Sequence, residues 1–296
     1  MCYGTSVHGM ESPRIVFVRD MEIWMSDLQG IQPEYLVDGF DPEISPDGTM
    51  LAFTDYREGR KIAVLHIDSG DLHVLDTIPG DNNYGPRWSP DGNQLVFHYW
   101  KEMDNYDSYW VIATIRPDGS ELHLLTEEYE EGLYSPFWAE DGLSIYAQDL
   151  HTLYQFDLEG NLISSLNIAD IVQKADTSSA TRFSIARDGI RWLFEGLVID
   201  EEDDWQTFYG EPVSAAFIYD SITGISERIT PPQTTLMSPD WIPGDEDVLV
   251  FGYTADDIPA GNNESEMIFN VYRLDINEKS LSVVVENGMF PSCTRK

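Results

Sequence analysis

Two imidazoles and a carboxylate are the chain's clearest set of metal donors. His98 ends one apolar run, His151 follows another, and Asp149 stands two positions before His151. Neutral imidazole and carboxylate are what a divalent transition metal takes, and such a centre activates water or polarises a carbonyl. The same three residues also read as two ordinary strand-end histidines beside a turn aspartate. A second candidate is the acidic run Asp200, Glu201, Glu202, Asp203 and Asp204, together with Asp256 and Asp257. Calcium accepts about six to eight oxygen ligands from irregular loops, but the run lacks the Asp-x-Asp-x-Asp-Gly spacing of a dedicated calcium loop. A solvated charge cluster is the competing reading. Calcium and a transition metal are therefore the only ions these side chains suggest, and no organic cofactor is expected. The chain has no Gly-x-Ser-x-Gly elbow, no His-Glu-x-x-His and no glycine-rich phosphate loop.

Aromatic side chains mark a different kind of site. Trp100 and Tyr106 fall in the segment 100–109, and Trp205, Phe208 and Tyr209 in 200–212. A third segment of this kind, 255–266, carries acids and glycine. Rings supply rigid contact area and carboxylates supply directional acceptors, a combination suited to a peptide, a basic protein surface or a sugar. The alternative is that Trp100, Trp205 and Tyr209 fold back and anchor their own segments.

The elements that must position these residues are legible from a repeated phrase. Pro42-Glu43-Ile44-Ser45-Pro46-Asp47-Gly48 returns as Pro86-Arg87-Trp88-Ser89-Pro90-Asp91-Gly92, and more loosely as Pro136 to Gly142, Arg182 to Gly189 and Pro239 to Asp245. Each copy reads as strand, tight turn, strand, because proline presets one turn dihedral and glycine accepts positive φ. A second set of turns interleaves: Asp27 to Gly30, Asp68 to Gly70, Pro117 to Gly119, Asp157 to Gly160, Asp220 to Gly224 and Asp275 to Glu278. Alternation of the two sets gives four strands per repeat, and six second turns imply six repeats. The chain opens directly in a second strand, Ile15 to Val18, while Met289 to Cys293 has the look of a first strand. The carboxyl-terminal strand is therefore expected to complete the first repeat and close a ring, leaving few free edges.

These residues resemble the TolB-like propellers, whose repeats carry Pro-Asp-Gly in the turn between the first two strands. The resemblance covers residues 14–293 and is most specific at Ser45 to Gly48 and Ser89 to Gly92. It implies an all-β, six-bladed β-propeller of four-stranded blades, with residues 1–13 as a flexible leader and 14–296 as one domain. In that fold the links between second and third strands leave one face and the tight turns occupy the other. The long segments of blades three, five and six then share a looped face, where binding function is usually placed. The resemblance further implies an extracytoplasmic protein, whether periplasmic, secreted or lipid-anchored. Some lyases of uronic-acid sugars use a TolB-like propeller with metal-bound histidines, which places His98 and His151 within an enzymatic reading.

Composition bounds the partners. With 17 Lys and Arg against 53 Asp and Glu, the net charge is -36, which disfavours nucleic acid and anionic membranes and favours solubility, cations or a basic partner. No apolar run is long enough to insert in a bilayer. A monomeric, non-catalytic module that binds a protein or peptide through the looped face is the expected function, with a metal-assisted enzyme on an acidic sugar as the alternative. The two cysteines, Cys2 and Cys293, are brought near one blade by ring closure, either bridged or as free thiols.

Overall fold

Short apolar runs separated by proline, aspartate and glycine fold into strands almost throughout. The computed structural model describes residues 13–102, 108–129, 132–199, 207, 210–259 and 267–295. Blade one contains β1 (Arg14–Arg19), β2 (Glu22–Asp27) and β3 (Glu34–Asp38). Blade two contains β4 (Phe40–Ile44), β5 (Met50–Asp55), β6 (Lys61–His66) and β7 (Leu72–Val74). Blade three follows with β8 (Asn83–Trp88), β9 (Leu95–Lys101), β10 (Tyr109–Ile115) and β11 (His123–Leu124). Blade four has β12 (Tyr134–Trp138), β13 (Ser144–Gln148), β14 (Thr152–Asp157) and β15 (Leu162–Asn167). A short helix, α1 (Ile168–Val172), leads into blade five: β16 (Ala175–Asp176), β17 (Phe183–Ile185), β18 (Arg191–Val198), β19 (Ser214–Asp220) and β20 (Ile225–Arg228). Blade six holds β21 (Thr234–Trp241), β22 (Asp247–Thr254), β23 (Asn270–Asp275) and β24 (Ser280–Val285).

The last strand, β25 (Met289–Cys293), lies antiparallel to β1, with Ile15 opposite Cys293 and Val16 opposite Ser292. The first sheet therefore runs β25-β1-β2-β3, and the ring closes as the sequence predicts. Arg14 and Thr294 exchange bonds at the seam: the Arg14 N–H donates to Thr294 Oγ1 at 3.1 Å, and the Thr294 N–H to the Arg14 carbonyl at 3.1 Å.

The core lies between blades rather than within them. Each of six buried clusters joins two neighbouring blades, as when Ala52, Ile62 and Val64 of blade two pack on Trp88, Leu95 and Phe97 of blade three. Trp88, Trp138 and Trp241 are all buried in these seams. Two of them also fasten neighbouring inner strands: the Trp88 indole donates to the Glu43 carbonyl at 2.9 Å and the Trp138 indole to the Arg87 carbonyl at 3.1 Å. Most turn aspartates are spent on their own backbone. Asp47 accepts from the Thr49 N–H at 3.1 Å and Asp141 from the Leu143 N–H at 2.9 Å. The Thr223 N–H holds Asp220 below the usual carboxylate range, and the Ser120 hydroxyl does the same for Asp118.

Inner strands share one irregularity. Asp41, Gly85, Ser135, Ser238 and Phe290 all have φ between 45° and 67°, and each is followed by proline. The register shifts at the same place in β4, β8, β12, β21 and β25, so each is a bulge. Proline is tolerated there because the inner strand is a sheet edge, with no partner on its channel side. Blade five alone lacks the proline, and its inner strand is split into β16 and β17, both paired with β18.

Candidate functional site

The residues just before the seam positions on the inner strands of blades two to six converge on one cavity. These are Glu43, Arg87, Phe137, Ser184 and Asp240, and the cavity they line has a volume of about 350 Å³. First-turn residues Pro46, Pro90, Glu140 and Arg187 also line it, so the cavity is a funnel opening on the face of the tight turns. Its walls are apolar and aromatic, including Ile44, Trp88, Trp138, Phe183 and Ile185. Four of the chain's 17 basic residues, Arg87, Arg182, Arg187 and Arg295, converge here against three carboxylates, Glu43, Glu140 and Asp240. In a molecule of net charge -36, this is a local concentration of cationic side chains.

The floor is closed by ion pairs. Arg87 of blade three is hydrogen-bonded to Glu43 of blade two, with side chains only 23% and 19% exposed. Burial pushes the Glu43 carboxyl up and Arg87 partly offsets it. The interruption of blade five between β16 and β17 releases Arg182, whose Nη2 donates across the ring to Asp41 Oδ1 of blade two at 3.0 Å. Blades two and five are opposite one another, so this contact spans the channel and plugs it. Burial, with Arg87 nearby, lowers the Arg182 pKa. At the mouth Arg295 lies between Glu140 and Asp240, 3.8 Å from each.

The bulges explain where His98 goes. An αL residue at a sheet edge leaves an inward N–H that a neighbour must satisfy. The Gly85 N–H donates to Thr54 Oγ1 at 3.1 Å, the Ser135 N–H to His98 Nε2 at 2.8 Å, and the Ser238 N–H to the Glu195 carboxylate. Gln148 occupies the matching place in blade four and donates to the Ser178 carbonyl at 2.8 Å. His98 is thus an acceptor in a series of clasps between consecutive blades. It is buried, its ring is stacked on Tyr84 at 4.5 Å, and burial lowers its pKa to about 3.

The other metal candidates are placed apart from it in character. His151 is exposed. Asp149 accepts from the His151 N–H at 2.9 Å, the Thr152 N–H at 2.7 Å and the Tyr154 hydroxyl at 2.8 Å, forming the turn of blade four. Among the described residues no group of three or more His, Cys, Asp or Glu is arranged to hold a metal. Of the aromatic candidates, Trp100 is half-buried and packs on Trp110 at 4.7 Å. Tyr106, Trp205, Phe208, Tyr209, Asp200, Asp203 and Asp204 lie outside the described residues, as does Cys2; Cys293 is a buried free thiol. The funnel is what the sequence reading missed. Its signal was arginine at inner-strand positions, Arg87 and Arg182, in a chain poor in cations.

No family model matches the chain, and no curated protein matches it. Solved structures do. TolB from Acinetobacter baumannii has a TM-score of 0.68 at 15% identity, covering 97% of this chain and 68% of that one. A nidogen/laminin complex structure gives 0.63 at 8% identity, with 96% and 98% coverage. An oligogalacturonate lyase from Vibrio parahaemolyticus gives 0.52 at 14% identity, with 88% and 74% coverage. At these identities the likeness is one of fold. The chain folds as a TolB-like six-bladed β-propeller.

Proposed function

We propose that the chain is a non-catalytic binding propeller whose funnel receives a segment of a protein or peptide partner. The observation that carries this is the funnel itself: a cavity of about 350 Å³ with apolar and aromatic walls and charged groups of both signs. Concave, mostly apolar sites with a few convergent polar groups are the usual form of a binding pocket. Proline and tryptophan walls suit an extended chain, and the rigid ring gives preorganised contacts. An extracytoplasmic location belongs to the same proposal and rests on the resemblance to TolB.

A second reading places the partner on the looped face, through the loops of blades three, five and six. It is favoured by exposed apolar side chains in the second-to-third-strand links of five blades: Met21, Tyr56, Leu150, Ile199 and Ile268. The metal-assisted sugar enzyme is less well supported, because metal binding by His98 would require the buried Ser135 N–H to give up its acceptor. Elemental analysis of the purified protein, with His98→Ala, His151→Ala as comparison, is expected to show no transition metal lost on substitution. A near-stoichiometric metal lost in the double variant would replace this proposal with the enzymatic one.

The two faces are separated by site-specific photocrosslinking in the native host. A photoreactive residue at Arg187, which is exposed at the funnel mouth, is expected to capture a discrete partner. Capture should be lost when Ser184→Trp fills the cavity. Crosslinking from Leu150 or Ile199 alone would move the function to the looped face.

A further inference from the structure

Arg295 follows the closing strand and enters the funnel mouth, where its guanidinium touches three successive blades. Nη2 donates to the Ile185 carbonyl of blade five at 3.2 Å and lies 3.8 Å from Glu140 of blade four, while Nη1 lies 3.8 Å from Asp240 of blade six. A charge-assisted N–H···O bond spans about 2.7–2.9 Å, so Arg295 is held between the carboxylates without being bonded to either. Glu140 has no hydrogen bond from another described residue, and Asp240 uses Oδ2 to accept from the Cys293 N–H at 2.8 Å, leaving Oδ1 toward Arg295. Burial raises the pKa of both acids and Arg295 only partly offsets it.

The deeper arginines do not cancel this corner. Arg87 and Arg182 are already paired with Glu43 and Asp41. Removing Arg295 from the mouth would leave Glu140 and Asp240, with Asp245 nearby, facing Arg187, so the corner would be short of positive charge. The corner therefore has the acceptors, the spacing and the charge for one planar cation, beside a wall that includes Trp138 and Phe183.

We propose that Glu140, Asp240 and the Ile185 carbonyl form an arginine subsite, filled loosely in cis by Arg295, and that an incoming partner segment docks by placing its own arginine there. This rests on the funnel as the binding site and names the partner's chemistry: a basic segment, which the acidic surface also attracts at a distance. Arg295 acts as a built-in competitor. A cis occupant present nine-tenths of the time weakens apparent affinity about tenfold.

The test uses the full chain and two capped tripeptides, acetyl-Gly-Arg-Gly-amide and its citrulline counterpart, which has the same shape without the charge. By NMR titration, Arg295→Gln is expected to bind the arginine peptide about tenfold more tightly than the unaltered protein does. Adding Glu140→Gln and Asp240→Asn should abolish that gain. Arg295→Lys, which keeps a cation in place, should behave as the unaltered protein and serves as the folding control. Equal binding of both peptides, or no gain in Arg295→Gln while its thermal unfolding matches that of Arg295→Lys, would overturn the subsite. If that happens while Arg187 still crosslinks a partner, the funnel reading survives and only the arginine chemistry falls. Loss of both results removes the funnel as well.

Discussion

Replacing His98 by alanine is expected to lower the unfolding free energy by about 3 kcal/mol, because it both strands a buried N–H donor and opens a cavity. The donor is the Ser135 N–H, held at 2.8 Å, and the space is that of a fully enclosed ring stacked on Tyr84. His98→Gln retains an acceptor and should recover about half of the loss. The same residue gives a pH signature with a definite sign. Folding depresses its pKa to about 3, so the neutral form is the folded one. The stabilisation is present above the unfolded value near 6.5 and is lost as the pH falls toward 3, since the unfolded chain binds one more proton throughout that window. Between pH 7 and 4.5 this amounts to about 2 kcal/mol. Urea unfolding of the unaltered protein and of His98→Gln across that range isolates the contribution. Parallel pH profiles would show that His98 titrates normally and does not serve as the clasp.

Asp41→Ala is the second large effect. It leaves Arg182, with a side chain 30% exposed, pointing at the ring axis without its partner on the opposite blade. Breaking a fully buried pair costs about 3–5 kcal/mol, and partial solvation reduces that here to about 2–3 kcal/mol. Arg182→Met together with Asp41→Ala should restore most of it, because a neutral pair in the channel carries no desolvation penalty. A double-mutant cycle by denaturant unfolding measures the coupling. Additivity within about 0.5 kcal/mol would mean that the cross-ring contact contributes nothing to the closed channel.

These two positions also show what the sequence could and could not convey. The blades were legible because a turn is local: Ser-Pro-Asp-Gly states its own conformation wherever it stands. Ring closure was legible because Met289 to Cys293 repeats the start of an inner strand. The clasp was present too, since six residues on from the glycine of the first turn come Thr54, His98, Gln148 and Glu195, four polar side chains that each follow a short apolar run. Their role is not, because each partner is a backbone group on the next blade: a bulge N–H for Thr54, His98 and Glu195, and the Ser178 carbonyl for Gln148. Arg182 is harder still. Nothing near it in sequence indicates that β16 and β17 separate, or that its partner lies 141 positions away. The funnel is assembled from all six blades, so no single stretch of chain announces it.

The seam between β1 and β25 has a bearing on how the protein is made. Its hydrogen-bonded partners Arg14 and Thr294 are 280 positions apart. A ribosome releases the first strand long before its mate exists, so every preceding blade must wait as an open arc with β1 presenting an unsatisfied edge. Loop-closure entropy rises only slowly with length, and the final docking is not thermodynamically onerous. The exposure is one of time: for most of synthesis the nascent arc offers a strand edge to any neighbour, and completion of the last strand both ends that hazard and creates the funnel mouth in the same event.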